Sequence, residues 1–190
     1  MRRWISMLAL AEALLLAAGC APQAGELDGL ALARTLGVDG ASGGRITAQW
    51  DAVEGEQTGA CVRYASAEGF LSARQALPWD GGREIALTSL SYIIIGNEAD
   101  PGAVLLQVLE DREISPAAAV WAAEDASALF AGDESVAGRL DVLLAAGQGA
   151  PTAGQVLARL WEEGCAWVPR LVLRGGRLCV DGETQWRAAP

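Results

Sequence analysis

Residues Leu90–Ile95, with the sequence LSYIII, form the most hydrophobic stretch of the chain beyond its N-terminus, and Gly96 ends it. A short, β-branched run that is stopped by glycine is typical of a strand buried on both faces of a sheet. Pro101 then suits the first position of a helix, and apolar residues recur at helical spacing over 104–109. This part of the sequence predicts a central strand and a helix that covers it.

The residues before this strand predict an N-terminal β-hairpin. Leu30–Asp39 and Arg45–Val53 flank the glycine-rich segment 40–44, whose flexible backbone suits a loop between antiparallel strands. Ala60–Ser66 predicts a third strand. Phe70–Leu77 predicts a short helix, because a proline follows it directly.

The residues after the central strand predict a mixture of strands and helices. In chain order these are a strand over Ile114–Ala123, a short helix capped by Asp125, helices over Ser135–Ala146 and Thr152–Glu163, and strands over Trp167–Leu173 and Leu178–Val180. The last two strands flank Arg174–Arg177 (RGGR), a pattern typical of a hairpin turn. The order of elements predicts an α+β fold, with a mixed, mainly antiparallel sheet, helices packed on it, and β-hairpins at the N-terminal and C-terminal ends.

The N-terminus has the pattern of an export signal. Met1–Arg3 is positively charged, Trp4–Ala18 is mostly apolar, and Leu16–Cys20 (LAAGC) places small residues directly before a cysteine. The apolar run is shorter than the about twenty residues that a membrane-spanning helix needs. We predict a removable lipoprotein signal peptide over residues 1–19, attachment of lipid such as palmitate to Cys20, a tether over 20–26, and one α+β domain over 27–190. The alternative is an ordinary secretory signal with an incidental cysteine.

Composition argues against several classes of function. The net charge is −10, so the chain should not seek nucleic acid or an anionic lipid surface. Histidine is absent, which removes the Ser-His-Asp and Cys-His arrangements of nucleophilic catalysis. No cysteine pair has the Cys-x-x-Cys spacing of a zinc site. We therefore predict no catalytic residues, no metal and no cofactor.

The three cysteines beyond Cys20 leave two alternatives open. Cys165 and Cys179 have thirteen residues between them and lie on either side of the predicted C-terminal hairpin. A disulfide between them, with Cys61 unpaired, would suit an extracytoplasmic compartment. Three small buried side chains without a bridge are the other alternative.

Six of the seven tryptophans lie beyond the predicted signal peptide, at positions Trp50, Trp79, Trp121, Trp161, Trp167 and Trp186. Aromatic side chains are enriched at the centres of protein interfaces, so some could supply contact surface. Most tryptophans nevertheless belong to hydrophobic cores. We expect core positions for the majority.

Several short segments occur in an order shared with a known family. They are Glu26–Leu32 (ELDGLAL), Leu36–Asp39 (LGVD), Arg45–Gln49 (RITAQ), Ala67–Gly69 (AEG), the stretch from Arg83 to Gly96, Val168–Pro169, Leu171–Leu173, and Val180–Gly182 (VDG) before Trp186. In this order they resemble the N-terminal region of the C-subunit lipoproteins of spore germinant receptors, the Ger(x)C family. One departure is Ser89, where the family often carries histidine.

The resemblance implies a non-enzymatic subunit on the extracytoplasmic face of the spore inner membrane. It would work with the integral membrane A- and B-type receptor subunits, in receptor assembly or signal relay during spore germination. Two alternatives remain. One is an extracytoplasmic solute-binding or adhesive lipoprotein unrelated to sporulation, with a deep polar pocket between two lobes, and the other is an anchored hydrolase that uses serine or carboxylate chemistry.

Overall fold

The computed structural model describes residues 29–54, 57–78, 80–131 and 135–188. The strands in this part of the chain are β1 (Leu30–Leu32), β2 (Thr35–Asp39), β3 (Arg45–Glu54), β4 (Gln57–Ser66), β5 (Glu84–Ala86), β6 (Tyr92–Gly96), β7 (Ala119–Ala123), β8 (Cys165–Arg174) and β9 (Arg177–Arg187). The helices are α1 (Phe70–Gln75), α2 (Pro101–Glu110), a 3₁₀ helix (Ser127–Phe130), α3 (Val136–Ala145) and α4 (Ala153–Glu163). Described residues from Ala31 onward belong to one compact unit.

Seven strands form one mixed sheet in the order β4-β3-β2-β6-β7-β8-β9. The pairs β2–β6, β6–β7 and β7–β8 are parallel. The flanking pairs β2–β3, β3–β4 and β8–β9 are antiparallel and contain most of the paired residues. The α+β fold with a mainly antiparallel sheet is therefore as predicted.

The hydrophobic run at the centre of the sequence forms β6, and all five of its residues are buried. Ile93 and Ile95 belong to the hydrophobic cluster on one face of the sheet, whereas Tyr92 and Ile94 belong to the cluster on the other face. Because alternate side chains of a strand point to opposite faces, a strand covered on both faces has no polar alternation. The prediction of a doubly buried strand is confirmed.

Helices cover both faces of the sheet. One cluster includes the buried residues of α1, α2 and α4, and the other includes those of the 3₁₀ helix and α3. Helix α2 begins at Pro101 as predicted, and Asp100 caps it by accepting a hydrogen bond from the Gly102 N–H at 2.9 Å. Val104 and Leu105 of α2 are fully buried. For simplicity, the face that carries α1, α2 and α4 is called the apolar face, and the face that carries α3 the polar face.

The N-terminal hairpin forms, but its first predicted strand divides in two. The Ala33 N–H donates to the Ala86 carbonyl of β5, whereas the Arg34 N–H donates to the Gln49 carbonyl of β3. The chain therefore changes its partner strand between these two residues. A continuous strand over Leu30–Asp39 is wrong, because hydrophobicity along the chain carries no information about which strand each backbone group will pair with.

The strand predicted over Ile114–Ala123 is also too long. Its first half forms turns, in which the Ile114 N–H donates to the Asp111 carbonyl and the Ala118 N–H to the Ser115 carbonyl. Pro116 lies in this segment and has no N–H to offer a neighbouring strand. Only β7 pairs in the sheet.

Helix ends in the second half of the chain follow local sequence signals. Ser135 caps α3, and Thr152 with Gln155 forms a capping box at the start of α4. Asp125 accepts a hydrogen bond from the Ala128 N–H at 3.2 Å, although the helix that follows is of the 3₁₀ type. The C-terminal hairpin turns at Gly175–Gly176, both with positive φ, as the RGGR sequence predicts.

Candidate functional site

A cleft of about 640 Å³ lies along α3. Three parts of the chain contribute to its lining: the β3–β4 hairpin, the exposed side of α3, and the start of β9. The lining includes Asp51, Arg139, Val142, Leu143, Arg177 and Leu178. The cleft therefore combines both signs of charge with aliphatic surface.

The N-terminus of α3 is held by a buried side chain from the sheet. Gln49 of β3 is 1% exposed, and its Oε1 accepts a hydrogen bond from the Val136 N–H at 2.7 Å. The first N–H groups of a helix lack partners within the helix, so this contact satisfies one of them. Ser135 satisfies another, because its Oγ accepts from the Gly138 N–H at 3.2 Å. Together these contacts set where the helix begins over the sheet.

The middle of α3 is held through Asp141. Its carboxylate accepts hydrogen bonds from the Tyr92 hydroxyl of β6 and from Arg34 Nη2, the latter at 3.3 Å to Oδ1 and 3.2 Å to Oδ2. Burial, followed by the hydrogen bond to Asp141, raises the pKa of Tyr92 to about 12. The phenol therefore stays protonated and continues to donate at neutral pH. Arg34 also lies 3.8 Å from Asp51 in the cleft, which links the wall of the cleft to α3.

The far side of the cleft is cationic. Arg139 Nη1 of α3 donates to the Gly176 carbonyl in the β8–β9 turn at 2.8 Å. Beside it, Arg177 is exposed and forms no ion pair with another residue of the described ranges. Arg174 differs from Arg177, because it pairs with Asp181 at 2.7 Å. Unlike the chain as a whole, this part of the surface presents positive charge.

A second buried acid, Asp39, has a structural position. It lies at the end of β2, and its two oxygens accept from the Ala126 N–H at 2.8 Å and the Ser127 N–H at 2.9 Å. Burial raises the pKa of Asp39 even though these two hydrogen bonds oppose the shift. Gly96 of the neighbouring strand leaves room for the carboxylate, since a Cβ at that position would clash with it. Asp39 therefore holds the loop after β7, with each of its oxygens accepting one hydrogen bond.

Of the two alternatives for the cysteines, the structure has the one without a bridge between Cys165 and Cys179. The thiols of Cys61, Cys165 and Cys179 are free. Cys165 faces Arg187 in the hairpin, whereas Cys179 faces Val172. At about 3.3 Å per strand residue this register places the two cysteines roughly 23 Å apart, and a disulfide requires Cα atoms within about 7 Å.

The predicted lipidation site lies outside the described residues. The signal peptide over 1–19, Cys20 and the tether over 20–26 all belong to the part of the chain that the structure does not describe. In the part that it does describe, no helix is long and apolar enough to cross a membrane. Within the same residues, no group of three or more Cys, Asp or Glu side chains is arranged to hold a metal ion.

The tryptophans divide between core and surface. Trp50, Trp121 and Trp186 are buried, with exposed fractions of 8% or less. Trp161 and Trp167 are 70% and 50% exposed. Trp79 lies outside the described residues, as do Asp133 and Glu134 before α3. A core position is therefore the commoner one among the tryptophans that the structure describes.

The polar residues that fix α3 were missed by sequence reasoning. In β3, Thr47 and Gln49 alternate with apolar residues, a pattern that normally indicates a solvent-facing side of a strand. Both side chains are buried instead, because helical elements cover that face. Arg174 and Arg177 lie in the RGGR segment, which predicted the hairpin turn but no site.

Comparison of the chain with known proteins gives no match. No family model matches it, and neither does any curated protein or solved structure. The resemblance to the Ger(x)C family therefore stays a prediction that rests on the segments quoted above.

Proposed function

We propose that this chain is a lipid-anchored extracytoplasmic lipoprotein that acts as a non-enzymatic subunit of a spore nutrient-germinant receptor, in receptor assembly or signal relay. The observation that carries the anchor is the N-terminal sequence: a positive start, an apolar run, and small residues up to Cys20. The Cys20 thiol is the acceptor for the lipid. Stable anchoring by acyl chains needs more than one of them, which a diacylglycerol group supplies.

The receptor role is supported by where the family-like segments lie. Leu36–Asp39 and Arg45–Gln49 fall in the neighbouring strands β2 and β3. The stretch that ends at Gly96 contains β6, which pairs with β2. The C-terminal segments fall in β8 and β9, at the other side of the same sheet. Segments that build one sheet favour a shared fold over unrelated short matches.

The non-enzymatic role is supported by the chemistry of the polar side chains. The sequence has no histidine. Asp39 and Gln49 use their oxygens to hold backbone N–H groups, and Asp141 accepts from Tyr92 and Arg34. Groups bonded in this way position helices and loops. The partners we propose are the integral membrane A- and B-type receptor subunits.

A second candidate function is an extracytoplasmic solute-binding lipoprotein, which the cleft along α3 favours. Clefts of roughly 300–1,000 Å³ are typical of small-molecule sites, and this one is about 640 Å³. It differs from the pocket between two lobes that we expected for this class, because one sheet and the helix α3 supply its lining.

The anchor is tested by replacing the acceptor thiol. In a bacterial host fed radiolabelled palmitate, the full chain should incorporate label and sediment with membranes. Cys20→Ala should lose both properties. Cys179→Ala is the matched control, because it removes a free thiol of the domain and should leave label and sedimentation unchanged. Label on the Cys20→Ala chain would show that the acceptor lies elsewhere.

The receptor role is tested in spores of the source organism. Deletion of the gene should slow germination in response to at least one nutrient, and the wild-type chain should restore it. Affinity purification of the chain from spore membranes should recover an A- or B-type subunit. Normal germination of the deletion strain with every nutrient, or a source organism that forms no spores, would contradict the proposal.

A further inference from the structure

We propose that the cleft along α3 is a binding site for a small amphipathic monoanion, that is, a molecule with one negative group and an apolar body. This inference rests on the second candidate function, solute binding in this cleft, and names its ligand class; it depends neither on the lipid anchor nor on receptor partners. Three properties of the cleft carry it: cations at one end, an exposed aliphatic wall, and a carboxylate on the opposite side.

The negative group of the ligand would bind at the β9 end of the cleft. Arg177 lines this end, and its guanidinium forms no ion pair with a residue of the described ranges. Most of the other charged side chains that line the cleft are bonded to neighbouring residues. Arg139 lies in the same lining and is oriented toward the hairpin turn by its bond to the Gly176 carbonyl. Guanidinium groups bind carboxylates in a planar, two-bonded geometry, which favours an organic acid.

The apolar body of the ligand would lie along α3. Val142 is 68% exposed although it is on a helix that packs against the sheet, and it lines the cleft with Leu143 and Leu178. Covering aliphatic surface contributes about 25 cal/mol per Å² removed from water, so an alkyl chain gains more here than a small inorganic anion could. This wall favours an amphipathic ligand over phosphate or sulfate.

The ligand should carry only one negative charge. Asp51 lines the side of the cleft formed by β3 and β4, and its nearest cation, Arg34 at 3.8 Å, is shared with Asp141. A second negative group at the far end of the ligand would meet this carboxylate. The net charge of −10 further disfavours dianions and polyanions.

The cleft is set up before any ligand arrives. Gln49 holds the N-terminus of α3, Tyr92 and Arg34 hold Asp141 in its middle, and Arg139 ties it to the β8–β9 turn. A site whose walls are already ordered loses less entropy on binding than one that must form around its ligand.

The test is calorimetric titration of the purified full chain, in nonionic detergent, with three ligands of equal length: octanoate, octanedioate and octylammonium. Titration of detergent without protein is subtracted. Octanoate should bind measurably, octanedioate about tenfold more weakly, and octylammonium not at all. Arg177→Gln should weaken octanoate binding by about tenfold, because it removes a charge-assisted hydrogen bond.

Arg159→Gln is the matched control. Arg159 is an exposed residue of α4, on the opposite side of the sheet from α3, and its replacement changes the net charge equally. It should leave octanoate binding unchanged. Val142→Asp is a second cleft variant. It should abolish octanoate binding, and because Val142 is exposed it should not unfold the chain. Absence of octanoate binding to the wild-type chain, or equal weakening in Arg177→Gln and Arg159→Gln, would overturn the proposal.

Discussion

The two faces of the sheet are built by different means. On the apolar face, Leu36, Ile46, Ile93 and Val120 pack against helices in one continuous hydrophobic cluster. The polar face has a smaller cluster, and alternation along β2 and β3 places on it the four polar residues that are buried in the described part of the chain: Thr35, Asp39, Thr47 and Gln49. Non-directional burial stabilises the first face, whereas directional hydrogen bonds position α3 and the 3₁₀ helix on the second.

The polar face carries a thermodynamic cost. Thr35 Oγ1 and Gln49 Nε2 are buried and have no hydrogen-bond partner within the described part of the chain. The two residues face each other across β2 and β3. Burying a polar group without a partner costs about 1–3 kcal/mol. On the apolar face, Trp50 Nε1 is also buried without a partner, so both faces carry such a cost, but only on the polar face does it fall on the side chain that holds α3.

The largest effect should come from the apolar face. Leu105→Ala in α2 should lower the free energy of unfolding by about 3 kcal/mol, because it opens a cavity at a fully buried position. Urea unfolding followed by tryptophan fluorescence would measure it. The control is Leu106→Ala, since Leu106 is 42% exposed on the same helix and should cost well under 1 kcal/mol. Equal losses would mean that α2 does not pack as described.

A smaller effect is expected on the polar face. Gln49→Ala should lower the free energy of unfolding by about 1–2 kcal/mol, because it leaves the Val136 N–H without its acceptor. It should also weaken octanoate binding, since the N-terminus of α3 would no longer be held. A loss of stability with full octanoate affinity would argue that Gln49 has no part in shaping the cleft.

The next effect depends on pH. Because burial raises the pKa of Asp39 above 3.8, the folded chain holds this proton more tightly than the unfolded chain. The contribution of Asp39 to stability is therefore greatest below pH 3.8 and falls as pH rises through its folded pKa. Asp125 lies in the loop after β7, which Asp39 holds, and its pKa shifts in the opposite direction. The Ser127 hydroxyl lowers the pKa of Asp125, so its contribution to stability is lost as pH falls.

Asp39→Asn should remove the first of these two dependences. The unfolding free energy of the wild type minus that of the variant should fall as pH rises above 3.8, because only the wild type has the Asp39 carboxyl to ionise. Urea unfolding at a series of pH values measures it, and Asp125→Asn is the comparison variant with the opposite slope. A difference that stays constant over the series would contradict burial as the cause.

The smallest effect concerns the β8–β9 hairpin at one edge of the sheet. Because the thiols of β8 and β9 are free and far apart, a reducing agent should leave the midpoint of thermal unfolding unchanged. Thiol titration of the unfolded chain should find all of Cys61, Cys165 and Cys179 reactive. If two fewer thiols react when the reductant is left out, the disulfide alternative would be supported instead.

Much of the fold could be predicted because its signals are local. The run Tyr92–Ile95, the proline that opens α2 and the Gly175–Gly176 turn each identify an element within a few residues. The cleft could not be predicted in this way. Its lining joins Asp51 to Arg177 across more than a hundred positions of sequence, and no local pattern relates the two.

The type and approximate limits of most elements, including the doubly buried central strand, could be read from the amino-acid sequence alone, and Cys20 is a prediction of the same kind. Periodicity, caps and turn residues act through neighbours in the chain, so they can be read without knowing the partners. Three features became visible only in the folded chain: the polar side of β3 is buried, the chain changes partner strands after Ala33, and Cys165 and Cys179 lie apart. These depend on which strands and helices meet, because register and covering layers are set by packing between distant segments.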